Sequence, residues 1–171
     1  MGASVAGHRV VGTDADLPRL VQATADVLVA VGQIKTAEPR IRLFERLAAA
    51  GGRFPVVVSP RAYVSSHAEV GAGTVVLHGA VVNAGARVGR NCIINSLALI
   101  EHGVAVADHC HVATAATVNS GVRIGPGTFI GSGSRIRQGV IVGERSVVGM
   151  GQIVLRDCPA GTWLPRKANP A

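Results

Sequence analysis

Val118-Asn119-Ser120-Gly121-Val122-Arg123, Ile124-Gly125-Pro126-Gly127-Thr128-Phe129, Ile130-Gly131-Ser132-Gly133-Ser134-Arg135: three consecutive hexads, each opening on a branched aliphatic residue. Outward from this stretch the pattern continues without a miss from Val64 to Val154, through Val70, Val76, Val82, Val88, Ile94, Ile100, Val106, Val112 and, beyond Ile130, through Ile136, Val142 and Val148. An α-helix repeats at about 3.6 residues and a flat strand at about 2, so neither has this period. A coil built from short strands does, if each strand sends one branched side chain into a shared core.

The other places of the hexad agree. Counting the aliphatic as place one, place five is small or β-branched in almost every repeat, as in Ala68, Thr74, Cys92, Ala98, Cys110, Ala116, Thr128 and Ser146. A small second inward residue lets the wall bend over a narrow interior. Place four is mostly glycine, as in Gly73, Gly103, Gly121 and Gly151, with Asn91 and Asp157 as near substitutes. These residues tolerate φ > 0, which predicts a left-handed backbone corner at place four.

Composition fits a thin prism. The 171-residue chain is 48% hydrophobic but only 3% aromatic, as expected of an interior filled by Val, Ile and Ala. No apolar run approaches the ~18 residues needed to span a membrane, so no membrane partner is expected. Met1 to Arg9 has no apolar h-region, and the expectation is a cytoplasmic protein without a signal peptide. The net charge of +7 suits either a solvated surface or an anionic ligand. Nucleic acid is disfavoured because base-stacking aromatics are nearly absent.

The N-terminal part of the chain reads differently. Asp14 to Asp26 predicts a short helix with Leu17, Leu20 and Val21 on one face, and Val27-Leu28-Val29-Ala30-Val31 predicts a buried parallel strand. Thr36 and Pro39 begin a second helix with Ile41, Phe44, Leu47 and Ala48 inward, and Gly51-Gly52 ends it. Phe54 to Val58 predicts the next strand. The expected organisation is a small, truncated α/β, Rossmann-like unit over 1–60, a β-helix over 61–159 and a C-terminal extension over 160–171.

The hexads resemble those of the hexapeptide acyltransferases, which implies a mostly β fold: a left-handed parallel β-helix with three hexads per coil. The sixteen hexads then make about five coils, a prism roughly 25 Å tall at strand spacings of ~4.8 Å. Residues three hexads apart should stack. Cys92 and Cys110 would then be inward neighbours, either bridged or, as expected of a cytosolic chain, reduced core fillers. Cys158 lies where the repeat ends.

The α/β lead narrows the resemblance. Val11-Gly12-Thr13-Asp14-Ala15-Asp16-Leu17, Val29-Ala30-Val31-Gly32, Arg42-Leu43-Phe44-Glu45-Arg46-Leu47, and Ile93-Ile94-Asn95-Ser96-Leu97-Ala98-Leu99-Ile100-Glu101-His102 are similar to segments of bacterial sugar acetyltransferases. These include the sialic acid O-acetyltransferases and the N-acetyltransferases of UDP-linked 4-amino sugars. Pro165-Arg166-Lys167 resembles their Pro-Ala-Lys ending. The resemblance implies acetyl transfer from acetyl-CoA to an amino or hydroxyl group of a sugar, in a homotrimer. It also implies an N-terminal Gly-rich loop for a nucleotide-sugar diphosphate, and Gly2 to Gly12 offers no such loop.

Residue by residue, the resemblance makes His102 the general base. It makes His111, Ser132 and Met150, with Arg166 and Lys167 at the phosphates, contacts of coenzyme A, and Asn95 a contact of the acceptor. Histidine suits the base because its pKa lies near neutrality. The family often places an acid after this histidine, where this chain has Gly103, and Glu101 should point away along the strand. Two other readings stand beside this one. A γ-type carbonic anhydrase would need three zinc-binding histidines, and His67, His102, His109 and His111 have the wrong spacing, so no metal is expected. A non-catalytic scaffold or regulatory subunit is the third.

Overall fold

The computed structural model describes residues 2–24 and 26–165. Eighteen two-residue parallel strands stack into three faces of seven, six and five strands. The chain runs from the seven-stranded face to the six-stranded face to the five-stranded face and back. Each strand pairs with the one three hexads on, as in Val82 with Ile100 with Val118 with Ile136 with Val154. The fold is therefore a parallel β-helix.

It has six coils, one more than the hexad series implied. The first added rung is Val57–Val58, paired with Val75–Val76. The Phe54–Val58 run thus ends as part of the β-helix ladder rather than as a strand of the preceding unit. The last is Trp163–Leu164, paired with Val147–Val148. Here the spacing tightens: Cys158 bridges Val142, short of the full three-hexad interval. Two residues are missing from the hexad after Val154, so the period breaks while the coil continues. Cys158 is buried and fills the place of the next aliphatic.

The core is the predicted column of place-one side chains. Val76, Val82, Ile94, Ile100, Val112, Val118, Ile130, Ile136, Val142 and Val148 have no exposed surface. Place five supplies small groups that also satisfy backbone. Thr74 Oγ1 donates to the Gly89 carbonyl at 2.7 Å, and Cys92 Sγ and Cys110 Sγ to those of Ala107 and Gly125, each at 3.1 Å. Thr128 Oγ1 donates to the Gly143 carbonyl at 2.9 Å. These groups lie too deep for water, so each needs such an acceptor. All three cysteines are free and buried. The Cys110 thiol is pushed up by its contact with Cys92 and by burial, which keeps it protonated.

Place four is the left-handed corner. Gly103 has φ +67°, but Asn91, Leu97, His109, Ala115 and Arg145 adopt the same conformation without being glycine. Asp157 does not, because the two-residue deletion removes its corner. Glycine at place two has another cause: a Cβ on Gly125 would lie 2.4 Å from the Glu144 amide, so the next coil excludes any side chain there.

The N-terminal segment packs against the corner between the five- and seven-stranded faces, where Phe44 meets His109, and against the seven-stranded face, where the Gln33 carbonyl meets His111. Ser4–Val5 and His8–Arg9 form a hairpin. Asp14–Asp16 is a 3₁₀ turn leading into the first helix, Leu17–Thr24. The second helix, Glu38–Ala49, starts beside Thr36, whose Oγ1 accepts the Glu38 amide. Its inward face differs from expectation. Phe44 and Leu47 are buried, Ala48 is exposed, and Arg40 is buried instead, at 1% exposure. Arg40 donates to the carbonyls of Val29, Val31 and Asn91, tying the helix to both the Val29 segment and the β-helix. Val27 to Val31 forms no strand. Among the described residues, one parallel bridge, Asp26 with Arg53, is all that pairs there, because a ladder needs a second strand alongside. Among the described residues, no helix is long and apolar enough to cross a membrane.

Candidate functional site

His102 sits on the corner between the six- and five-stranded faces, exposed to solvent. The strand Leu99–Ile100 holds it on one side and Ala105–Val106 on the other. Its Nε2 lies 2.8 Å from Ser120 Oγ, one coil on. Glu101 turns away from the ring: its Oε2 accepts Asn83 Nδ2 at 3.0 Å and the His102 backbone N–H at 3.3 Å. A Cβ on Gly103 would meet nothing within 4 Å. Space for an acidic side chain exists there, but the left-handed backbone opposes one.

His111 is on the seven-stranded face and is buried. Its Nδ1–H donates to the Gln33 carbonyl at 2.8 Å, and its Nε2 accepts Asn95 Nδ2 at 3.1 Å. The Phe129 ring meets it edge-on at 5.2 Å. Both ring nitrogens are engaged, so this histidine is a poor base and a well-fixed wall. It lines a cavity of about 330 Å³ with Asn95, Val29, Ile93 and Arg40.

Burial holds the His111 imidazole below its ordinary 6.5, against the opposing pull of the Gln33 carbonyl. The unfolded chain therefore takes up the proton first. Stability should be full above 6.5 and fall as pH drops through 6.5 toward the lower folded value. His109, also lowered by burial, acts in the same direction. Denaturant titrations from about pH 8 to about pH 5 should show this loss. His111→Gln should shrink it, and an equal loss in the variant would contradict the assignment.

Ser132 and Met150 fall on the corner between the seven- and six-stranded faces, as does Asn95. Ser132 and Met150 line a cavity of about 370 Å³ with Ile34, Lys35, Phe129, Trp163 and Pro165. Arg166 and Lys167 lie outside the described residues. Within one chain, then, Asn95 joins His111 and Ser132 joins Met150, while His102 stands on a different corner. Ser120, Lys35 and Trp163 were missed by sequence reasoning. Only Ser120 carried a signal, its three-hexad spacing from His102. Among the described residues, no three His, Cys, Asp or Glu side chains cluster as metal ligands.

Residues 121–156 match the family described as hexapeptide repeat of succinyl-transferase. No curated protein sequence matches the chain. Among solved structures, perosamine N-acetyltransferase of Caulobacter crescentus superimposes with a TM-score of 0.90 at 31% identity, over 94% of this chain and 76% of that one. That structure is a histidine-to-asparagine variant holding CoA and GDP-perosamine. The acetyltransferase domain of PglB from Neisseria gonorrhoeae FA1090 superimposes with a TM-score of 0.89 at 32% identity, over 95% of this chain and 78% of that one. The same domain is also solved with acetyl coenzyme A. This chain belongs to the hexapeptide-repeat sugar acetyltransferases. WeeI from Acinetobacter baumannii AYE, at 20% identity and a TM-score of 0.71, shares the fold. The scaffold reading gives way to an enzyme. In this acetyltransferase, His102 and the Ser132–Met150 cavity occupy different corners of one prism.

Proposed function

We propose that the protein transfers the acetyl group of acetyl-CoA to an amino or hydroxyl group of a sugar, an amino group being the favoured acceptor. The observation that carries this is the superposition, over nearly the whole chain, on an N-acetyltransferase holding both CoA and GDP-perosamine. His102 is the general base. Its imidazole takes the proton from the acceptor nitrogen or oxygen as that atom attacks the thioester carbonyl. The carbon–sulfur bond then breaks, and the departing thiolate recovers the proton as the CoA thiol. Asn95 serves on the acceptor side. His111, Ser132 and Met150 serve on the CoA side, with Arg166 and Lys167 near its phosphates. Cytoplasmic acetyl-CoA is the donor pool.

The division of these residues between two corners supports a homotrimer, in which the His102 corner of one prism meets the Ser132–Met150 corner of the next. Closed cyclic symmetry buries such flat faces. Light scattering at micromolar concentration should give three times the chain mass, and a monomer would overturn the shared site.

Acetyl-CoA should raise the melting temperature. A ligand at 100 times its dissociation constant contributes about 2.7 kcal/mol, several degrees for a domain of this size. An unchanged melting temperature at millimolar acetyl-CoA would count against the donor assignment.

A further inference from the structure

The imidazole of His102 has a partner that the proposed mechanism does not use. We propose that Ser120 is a positioning residue for His102: its hydroxyl accepts the Nε2 proton and fixes the tautomer whose Nδ1 lone pair takes the acceptor's proton. This rests on the reading of His102 as the base.

Coil register places the pair. Leu99 pairs with Thr117 and Ile100 with Val118, and the Gly121 amide donates to the His102 carbonyl at 3.2 Å. Ser120 thus stands one coil beyond His102, with Oγ 2.8 Å from Nε2. No described carboxylate pairs with the ring. Glu101 is committed to Asn83 and to backbone, and Gly103 has no side chain. The other charged groups of this corner are Arg137, two coils beyond Glu101 in the same column, and Arg156 and Asp157 on the last coil, with His67 two coils before His102.

A neutral imidazole has one N–H and one lone pair, and a base must present the lone pair to its substrate. With Nε2–H held by Ser120, Nδ1 carries it. When Nδ1 is protonated, the Nε2–H···Oγ bond becomes charge-assisted and stronger. The hydroxyl therefore orients the ring and favours the imidazolium formed during transfer. It does the orienting work that an acidic neighbour would do.

The test combines nitrogen-15 spectra with rates. His102→Ala assigns the ring signals. In the wild type, the Nε2–H tautomer should dominate. In Ser120→Ala, the tautomers should mix, since the hydroxyl that holds Nε2–H is gone. With acetyl-CoA and GDP-perosamine as probes, kcat should fall about tenfold, at the low end of acid–base contributions. KM for acetyl-CoA should hold. Ser120→Thr, which keeps the hydroxyl, should stay within about twofold of wild type.

An unchanged tautomer in a Ser120→Ala protein of wild-type melting temperature would overturn the proposal. So would a Ser120→Thr protein as impaired as Ser120→Ala, or an acetyl group found on Ser120 by mass spectrometry after exposure to acetyl-CoA alone. A wild-type rate in His102→Ala would instead remove the base assignment. The spectra decide the role of Ser120 without any acceptor.

Discussion

His102→Ala should lower the turnover of acetyl transfer by roughly 10²–10⁴-fold, the usual contribution of a positioned general base. The melting temperature should barely change, because the ring is exposed and its side-chain partner in the structure is Ser120. Acetyl-CoA binding should hold, since the imidazole acts on the acceptor's proton and His111, Ser132 and Met150 lie on other parts of the chain. Steady-state rates, melting curves and an acetyl-CoA titration on the same preparation check all three. A variant with wild-type turnover would move the search for a base elsewhere. His111 is a poor second candidate, because Gln33 and Asn95 occupy both of its nitrogens.

The largest effect on stability should come from the core column. Ile136→Ala removes a side chain with no exposed surface from the stack between Val118 and Val154. The neighbouring coils are fixed by their ladders and collapse little into the gap. A loss of about 2–5 kcal/mol is expected, as for large-to-small changes at fully buried sites. Ile153→Ala is the control: it pairs with Arg135 beside Ile136, but faces outward and is 64% exposed. It should change stability by no more than about 0.5 kcal/mol in the monomeric unit. Chemical denaturation of the two variants separates the cases. Equal losses would mean that hexad place one does not bear the core.

The core was legible because place one never misses, and a strict period leaves few architectures that could bury it. The coil count was less legible for a local reason. Val58 lies one hexad before Val64 and extends the series, but the apolar run Phe54 to Val58 reads equally as a strand of the preceding unit. At the other end, the two-residue deletion before Cys158 breaks the period, so Leu164 could not be found by counting sixes. In the N-terminal segment, helical spacing placed Phe44 and Leu47 correctly and overlooked Arg40. No pattern of apolar residues announces a buried arginine, whose place depends on three carbonyls brought together by tertiary contact.

The site was partly legible in the same way. His102 and His111 stood out by their segment's resemblance to known acetyltransferases, and the structure gives them different surroundings: one exposed beside a hydroxyl, the other fixed between Gln33 and Asn95. The Asn95–His111 bond follows from adjacent coils meeting at one corner. The Lys35 and Trp163 walls of the Ser132–Met150 cavity come from segments outside the regular hexads, so no spacing rule reaches them. The placement of His102 and of the Ser132–Met150 cavity on different corners is a property of the prism, invisible in one dimension.

The most direct test is to incubate the wild-type protein with carbon-13-labelled acetyl-CoA and a panel of amino sugars, free and nucleotide-linked, GDP-perosamine among them. Thiol release and label are followed together. The expected result is stoichiometric release of CoA thiol with the label in an amide on a sugar nitrogen, or in an ester on a sugar hydroxyl, and neither event in His102→Ala. A wild-type protein that binds acetyl-CoA yet places no label on any member of the panel, or one that releases thiol at the same rate with and without a sugar, would contradict it.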